Sequence, residues 1–232
     1  MCGRYTITVL LEELIAHYFL DEASSSYYGP RYNVAPGQLV PAIVSDGRRN
    51  RLGELKWGLV PPWADDPKIG YKMINARSET ALERPAFRSA LRTKRCLIPA
   101  DGFYEWQRTA DGGKRPMRIT LRGGGLFSLA ALYETWVGPD GAKLHTCAVL
   151  TTSPNALMAD IHDRMPVILR PEDEARWLDR RIQDPGPLLP LLAPYPAGEM
   201  TAYEVDRRVG NVANDDPALL APVGGGEQGT LF

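Results

Sequence analysis

The stretch Arg95–Gln107, with the sequence RCLIPADGFYEWQ, contains two strand-like segments joined by Pro-Ala-Asp-Gly. Arg95–Ile98 is an apolar run, whereas Phe103–Gln107 alternates in the manner of a half-buried strand. Similar short segments precede and follow this stretch in the chain: Leu39–Val44, Glu54–Leu59, Met117–Leu121, Leu126–Tyr133, His145–Thr152 and Met165–Leu169. The number and shortness of these segments predict a core built mainly from β-sheet.

Helical patterns are interspersed among these strands. Thr8–Leu20 has apolar residues at helical spacing. Ser78 and Thr80 can cap helical turns that run toward Leu91, and Pro85 is expected to break that run.

Turn-rich segments and two further helix starts complete the pattern. Ser24–Gly37 and Val60–Gly70 are rich in turn residues and are predicted to be loops. Ser153-Pro154 predicts a short helix before His162, and Pro171 opens another helix with acids in its first turn. Because strands and helices mix in no βαβ rhythm, we expect a single α+β domain. Its core would be a curved, largely antiparallel sheet, barrel-like in shape, with flanking helices.

Length and composition limit the class of protein. The chain has 232 residues, which is enough for one full core or two small ones. Hydrophobic residues make up 44% and charged residues 24%, which excludes a disordered or fibrous chain. The formal net charge is −1, so any nucleic-acid binding must come from a focused basic groove. We expect one domain over residues 1–222, a flexible tail over 223–232, and a monomer.

The cysteines and histidines argue against disulfides and metals. Cys2, Cys96 and Cys147 are odd in number and form no CxxC pair. Three histidines are scattered through the chain: His17, His145 and His162. We therefore expect free thiols, no metal site and no cofactor. No signal peptide and no apolar run of the ~20 residues that a membrane helix needs is visible, so we expect a cytoplasmic protein with no membrane partner.

The N-terminus carries the most specific chemistry. Initiator methionine is normally removed before a small residue, which would leave Cys2 as the first residue. That residue would then carry a thiol with a reference pKa of ~8.5 and an α-amine of ~7.7–8.0. Such an amine attacks aldehydes to give an imine, and the tethered thiol can close on the imine carbon to form a thiazolidine.

Two other interpretations of Cys2 stay open at this point. Free cysteine is commonly buried, so Cys2 could be a core residue without chemistry. Class II glutamine amidotransferases also begin with Met-Cys-Gly and use the N-terminal thiolate as a nucleophile. Their pattern continues with an aliphatic residue and an Asn-Gly-Glu block, whereas this chain has Arg4 and no such block.

Seven blocks in a fixed order point to one family. They are Cys2-Gly-Arg-Tyr, Tyr32-Asn-Val-Ala-Pro, Lys56-Trp-Gly-Leu-Val-Pro-Pro-Trp, Asn75-Ala-Arg-Ser-Glu-Thr, Arg95-Cys-Leu-Ile-Pro-Ala-Asp-Gly-Phe-Tyr-Glu-Trp, Phe127-Ser-Leu-Ala-Ala-Leu-Tyr-Glu and His162-Asp-Arg-Met-Pro-Val-Ile-Leu. With these blocks the chain resembles the SOS-response-associated peptidase family, the abasic-site processing proteins. The resemblance runs from Cys2 to about Pro222.

The resemblance implies a function in the DNA damage response. Such a protein binds abasic sites in single-stranded DNA and forms a covalent thiazolidine crosslink through Cys2 after Met1 removal. A β-elimination lyase side activity and an autopeptidase activity on Met1 are implied as well, with the protein nucleoid-associated when bound to DNA. The alternatives are a non-covalent reader of modified bases and an N-terminal-nucleophile amidohydrolase.

The resemblance also assigns catalytic roles. Asn75 would hydrogen-bond beside Cys2, and Glu105 would move protons during ring opening and imine formation. His162 would transfer a proton to the sugar or bind the adjacent phosphate. Each residue also has an ordinary interpretation, because Asn75 could cap a helix, Glu105 could face solvent and a lone histidine is often structural.

The resemblance also implies DNA-binding roles for five residues. Arg77 would hold a phosphate, and Arg4 and Arg164 would do the same from their positions beside Cys2 and His162. Trp63, in the proline-rich loop, would serve as a wedge or stacking platform for bases. Asn33 would order a loop that lines the groove.

The C-terminal tail carries a separate short pattern. Gln228, Leu231 and Phe232 stand at the spacing of the peptide that docks on bacterial replication sliding clamps. Gly229 replaces the usual leucine after the glutamine, which should weaken docking. A glycine-rich tether predicts presentation of this motif, and the alternative is an end without a role.

Overall fold

A computed structural model of the protein describes residues 2–20 and 29–224. Its strands are β1 (Tyr5–Ile7), β2 (Arg31–Val34), β3 (Leu39–Ser45), β4 (Asn50–Trp57), β5 (Asn75–Arg77), β6 (Arg95–Ala100), β7 (Gly102–Arg108), β8 (Lys114–Leu121), β9 (Phe127–Val137), β10 (Lys143–Thr152), β11 (Met165–Pro166), β12 (Ile168–Leu169) and β13 (Met200–Glu204). The α-helices are α1 (Leu11–Tyr18), α2 (Pro85–Thr93), α3 (Ala156–Ala159) and α4 (Pro171–Leu178). Short 3-10 helices cover Pro67–Lys72, Gly186–Leu192, Ala197–Glu199, Arg207–Gly210 and Pro217–Leu220.

Five strands close into a barrel. β4 pairs with β3, β3 with β6, β6 with β9 and β9 with β10, all antiparallel. The circuit closes through a short parallel pairing of β10 with β4, at Thr146↔Lys56 and Cys147↔Trp57. Large apolar side chains such as Trp57, Leu97 and Leu150 are fully or almost fully buried. The predicted α+β domain with a largely antiparallel, barrel-like core is confirmed.

A second sheet brings the N-terminus beside the barrel. Its order is β13-β8-β7-β1-β2. β1 pairs with β7 at Tyr5↔Phe103, and the backbone N–H of Tyr104 donates to the Arg4 carbonyl at 2.9 Å. The residues just before β1 therefore lie next to the middle of β7, where Glu105 stands.

Three local predictions are wrong, each for a different physical reason. Arg31–Val34, predicted to be loop, forms β2 because it pairs with β1. Residues 24–28 of that predicted loop lie outside the described part. Pro85 begins α2 rather than breaking it, since the first helical position needs no N–H donor. Asn155, not Ser153, caps α3 by accepting a hydrogen bond from the Met158 backbone at 2.9 Å.

Other elements differ in extent or were not predicted. α1 begins at Leu11 rather than Thr8 and ends at Tyr18, where Phe19 adopts a left-handed φ of 51° that stops the helix. β1, β5 and β13 were not predicted as strands. β1 and β5 have only three residues each, too few to show an alternating pattern. Within residues 2–20 and 29–224, no helix combines the length and apolar character needed to cross a membrane.

Candidate functional site

Cys2 lies buried at the start of β1, where two strands position its neighbours. Its exposed fraction is 0%. The Asn75 side chain donates to the Cys2 carbonyl at 2.9 Å. Asn75 is held there by the parallel pairing of β5 with β10, at Val149↔Asn75. The side-chain oxygen Oδ1 of Asn75 is buried without a hydrogen-bond partner among the described residues. It is therefore available to accept a hydrogen bond from a ligand.

Glu105 is the buried carboxyl group of the site. It is 3% exposed, and this burial raises its pKa above the ordinary value, although nearby His162 acts in the opposite direction. Burial also raises the pKa of the Cys2 thiol, and the negative charge of Glu105 adds to that effect. The thiol therefore rests in its neutral form and needs a base before its sulfur can attack. The charge of Glu105 acts on the Cys2 thiol, so its carboxyl group is near enough to exchange protons there.

His162 follows α3 and faces Glu105. Its Nε2 lies 3.9 Å from Glu105 Oε2, at the edge of an ion pair. The Arg164 backbone N–H donates to His162 Nδ1 at 3.0 Å, and a backbone amide can only donate. In the neutral ring the proton is therefore on Nε2, directed at Glu105. Asp163 Oδ1 also lies 2.9 Å from Nδ1.

We call Cys2, Asn75, Glu105 and His162 together the Cys2 cluster. A groove on the surface includes one of these residues, Asn75. This Trp63 groove has a volume of about 440 Å³ and is lined by residues that include Trp63, Lys72, Met73, Asn75, Arg77 and Arg84. Trp63 is 58% exposed, which is unusual for its size and suits a stacking surface. Asn75 belongs both to the groove and to the Cys2 cluster. The predicted residues Trp63, Asn75 and Arg77 are thus brought together.

Two cations of the Trp63 groove were not predicted from the sequence. Lys72 is the last residue of the 3-10 helix Pro67–Lys72, and Arg84 directly precedes α2. Both flank the Asn75-Ala-Arg-Ser-Glu-Thr block by a few residues. Their closeness to that block was the available signal, but neither residue belongs to a pattern of its own.

Arg164 is engaged by the protein itself. Its two terminal nitrogens donate to the two carboxylate oxygens of Glu79 at 2.7 and 2.8 Å. One of them also donates to the Thr151 carbonyl at 2.6 Å. The charged guanidinium lowers the pKa of Glu79. A phosphate at this place would have to share Arg164 with Glu79.

Arg4 and Asn33 bind a C-terminal segment, residues 209–214, through hydrogen bonds to its backbone. Arg4 donates to Asn33 Oδ1 at 2.8 Å and to the Val209 carbonyl at 2.7 Å. The Asn33 amide donates to the carbonyls of Val209, Asn211 and Asn214 at 2.8 to 3.1 Å. Asn33 is only 1% exposed, so it can act on a ligand only through the segment that it orders.

We expect Asn33→Ala to destabilise the protein by about 2–3 kcal/mol, since a buried side chain that accepts a hydrogen bond from Arg4 and donates to three backbone carbonyls is lost. Urea unfolding followed by circular dichroism measures this. Asn50→Ala is the matched control, because Asn50 is only half-buried and donates once, at 3.4 Å, to the Tyr18 carbonyl. Equal losses for the two variants would contradict the role given to Asn33.

Some of the residues named from the sequence are not part of the site as described. The predicted roles of Met1, Gln228, Leu231 and Phe232 lie outside the described residues. Cys96 and Cys147 are free and fully buried on the barrel strands β6 and β10. Among residues 2–20 and 29–224, no three His, Cys, Asp or Glu side chains gather in a way that could hold a metal ion.

Comparison with known proteins places the chain in a family. The family model described as SOS response associated peptidase (SRAP) matches residues 1–212. Abasic site processing protein YoqW of Bacillus subtilis is 52% identical over 221 residues, covering 95% of this chain and 99% of its own length. Abasic site processing protein HMCES of Xenopus tropicalis is 31% identical, covering 87% of this chain and 69% of its own.

A solved structure agrees with this sequence relationship. The crystal structure of a protein from Bacteroides thetaiotaomicron superposes with a TM-score of 0.87 at 26% identity, covering 95% of this chain and 99% of that one. Fold, site blocks and relatives therefore agree over nearly the whole length. The chain belongs to the SOS response associated peptidase (SRAP) family.

Proposed function

We propose that the protein captures abasic sites in single-stranded DNA by forming a covalent thiazolidine through Cys2. The observation that carries the proposal is the position of Cys2, with the Asn75 amide on its carbonyl and the Glu105 carboxyl group beside its thiol. The Trp63 groove supplies cations and an exposed aromatic ring next to this cluster. The relatives named abasic site processing proteins give the substrate class.

The first step is removal of Met1, which we propose the protein performs on itself. Water cleaves the Met1–Cys2 peptide bond, releasing methionine and a free α-amine on Cys2. While that bond is intact, the Cys2 nitrogen belongs to an amide and cannot form an imine. We propose that Glu105 and His162, whose side chains lie 3.9 Å apart, move the proton in this hydrolysis.

Capture of the abasic site then takes three steps, and none of them needs a further reactant. The hemiacetal of the abasic sugar opens to an aldehyde by moving a proton from the hydroxyl group to the ring oxygen. The Cys2 amine adds to the aldehyde carbon, and loss of water gives an imine. The Cys2 S–H then adds across the C=N bond, sulfur to carbon and hydrogen to nitrogen, to close the thiazolidine. We propose that Glu105 relays the protons, since its charge acts on the Cys2 thiol and its raised pKa favours the acid form.

A lyase side activity follows from the same intermediate. If the imine persists, loss of a proton from the carbon beside it expels the 3′ phosphate by β-elimination and breaks the strand. Fast closure of the sulfur removes the imine and so suppresses this cleavage. The balance between crosslink and cleavage is therefore set by how quickly the thiol reacts.

The test is an adduct assay. Protein that begins at Cys2 is mixed with single-stranded DNA containing one abasic site, and a heat-stable band of retarded DNA is expected on a denaturing gel. Protein with one extra residue kept ahead of Cys2 is the matched control and is expected to give no band. Absence of the band with correctly processed protein would refute the proposal.

Arg77→Ala is expected to weaken single-stranded DNA binding about five-fold at 0.1 M salt. Arg77 is exposed in the Trp63 groove, and one phosphate contact on a single strand changes the salt slope by about 0.7. Titrations across a range of salt concentrations measure both quantities. Arg92→Ala is the control, since Arg92 is exposed on α2 outside the groove lining. An unchanged slope for Arg77→Ala would remove Arg77 from the DNA contact.

We also propose a monomer that acts in the cytoplasm, associates with the nucleoid through DNA, and docks on the sliding clamp through Gln228, Leu231 and Phe232. The single domain over residues 1–222 would then be delivered by the tail to stalled replication forks. A titration of the full chain and of Leu231→Ala/Phe232→Ala against the clamp tests the docking. Equal binding by both, or none at micromolar concentration, would contradict it.

A further inference from the structure

A second basic depression lies away from the Cys2 cluster. This basic cleft, of about 480 Å³, is formed by the β3–β4 turn and the end of α4. Five arginines line it against a single acid, Asp179, and they are Arg48, Arg49, Arg176, Arg180 and Arg181. The whole chain has a net charge of −1, so such a local excess is not an average property of the surface.

Three of the five arginines in the basic cleft have side chains without a hydrogen-bond or ion-pair partner among the described residues. Arg181 is paired with Asp179 at 2.8 Å. The side chains of Arg48, Arg176 and Arg180, in contrast, make no hydrogen bond or ion pair with any described residue, and all three are exposed. Elsewhere arginines such as Arg164 and Arg95 are engaged by carboxylates or carbonyls. The basic cleft thus holds at least three positive charges that lack a negative partner within residues 2–20 and 29–224.

The basic cleft and the Trp63 groove lie at opposite ends of one strand. β4 begins at Asn50, which lines the basic cleft, and ends at Trp57. The Trp57 indole donates to the Ile74 carbonyl, next to the groove residues Met73 and Asn75. Seven steps of about 3.3 Å make this roughly 23 Å. A strand that keeps the base stacking of duplex DNA rises ~3.4 Å per nucleotide, so it covers that length with about seven nucleotides.

We propose that the basic cleft binds the sugar-phosphate backbone of the DNA several nucleotides away from the abasic site. The inference rests on the proposed function only in taking DNA as the polyanion that the Trp63 groove holds. A strand leaving that groove along β4 would reach three unpaired arginines after about seven nucleotides. Guanidinium groups from two separate elements offer several sets of donors, which suits a row of phosphates.

The test compares short and long undamaged single strands. Binding of a 5-nucleotide and a 20-nucleotide strand is titrated over a range of salt concentrations with wild type and Arg48→Gln/Arg180→Gln. Loss of two phosphate contacts should lower the salt slope for the long strand by about 1.4, which is on the order of 20-fold in affinity at 0.1 M salt. The short strand should bind to both proteins equally, which also shows that the variant is folded.

Lys114→Gln/Arg122→Gln is the matched control, because it removes two exposed cations that line neither the basic cleft nor the Trp63 groove. Its effect on the long strand should be several-fold smaller. The inference is overturned if the arginine variant binds the long strand like wild type, like the control, or with the same loss for both lengths. Since undamaged DNA forms no adduct, failure of the adduct assay would refute the proposed chemistry and leave this result standing.

Discussion

Cys2→Ser is expected to reduce the heat-stable adduct with abasic DNA by on the order of 100-fold. Serine keeps the α-amine, so the imine still forms, but its hydroxyl group is a much weaker nucleophile than a thiol and closes the ring poorly. The imine should therefore persist and be trapped by borohydride. More strand cleavage is expected as well, because β-elimination starts from the same imine. Denaturing gels with and without borohydride measure all three products.

The other cysteines provide the control for this prediction. Cys147 is as buried as Cys2, and burial raises the pKa of both thiols, yet Cys147 stands on β10 inside the barrel. Cys147→Ala should form the adduct at the rate of wild type even though it loses some stability. Equal stable adduct from Cys2→Ser, or loss of adduct from Cys147→Ala in folded protein, would contradict the thiazolidine step.

The sequence predicted the fold where the signal was local. Apolar and alternating runs gave the barrel strands, because burial on one face or both imposes those periods on any strand. It failed where a distant contact decides. Arg31–Val34 contains turn-prone neighbours but pairs with β1, and the backbone N–H groups of Tyr32 and Asn33 donate to Asp215, far along the chain. A window of sequence contains no trace of that partner.

The candidate site, like the fold, could be predicted from the sequence only in part. The resemblance placed Cys2, Asn75, Glu105 and His162 together, and in the structure these residues surround the start of β1. The engagement of Arg164 by Glu79 could not be foreseen, because the two stand 85 residues apart. The arginines of the basic cleft likewise come from two distant segments, each of which alone is an ordinary charged turn.

Glu105→Gln is expected to slow adduct formation on the order of 100-fold and to leave DNA affinity within about two-fold of wild type. Glutamine keeps the shape of the side chain but can neither give nor take a proton. Burial raises the pKa of Glu105, so its acid form persists above the ordinary range. In wild type the rate should rise with pH as the amine loses its proton and fall once Glu105 ionises. The variant should keep the rise alone.

Stability supplies a readout that separates catalysis from structure at this position. Because the folded-state pKa of Glu105 is raised, the native state binds more protons than the unfolded state between the two pKa values. Stability therefore falls as pH rises through that window, and the loss persists above it. Glutamine has no such loss, so at neutral pH Glu105→Gln should be at least as stable as wild type, with an advantage that vanishes at acidic pH.

Glu134→Gln is the matched control for Glu105→Gln. Like Glu105, Glu134 is 3% exposed. It lies on the barrel strand β9, outside the Trp63 groove, and forms an ion pair with Lys94. Glu134→Gln should lower stability at neutral pH, since it leaves Lys94 without its charged partner, and should not change the rate of adduct formation. If Glu105→Gln behaved like Glu134→Gln in both measurements, Glu105 would be a structural residue. A gain in stability combined with a loss of rate is the signature of a carboxyl group kept buried for its chemistry.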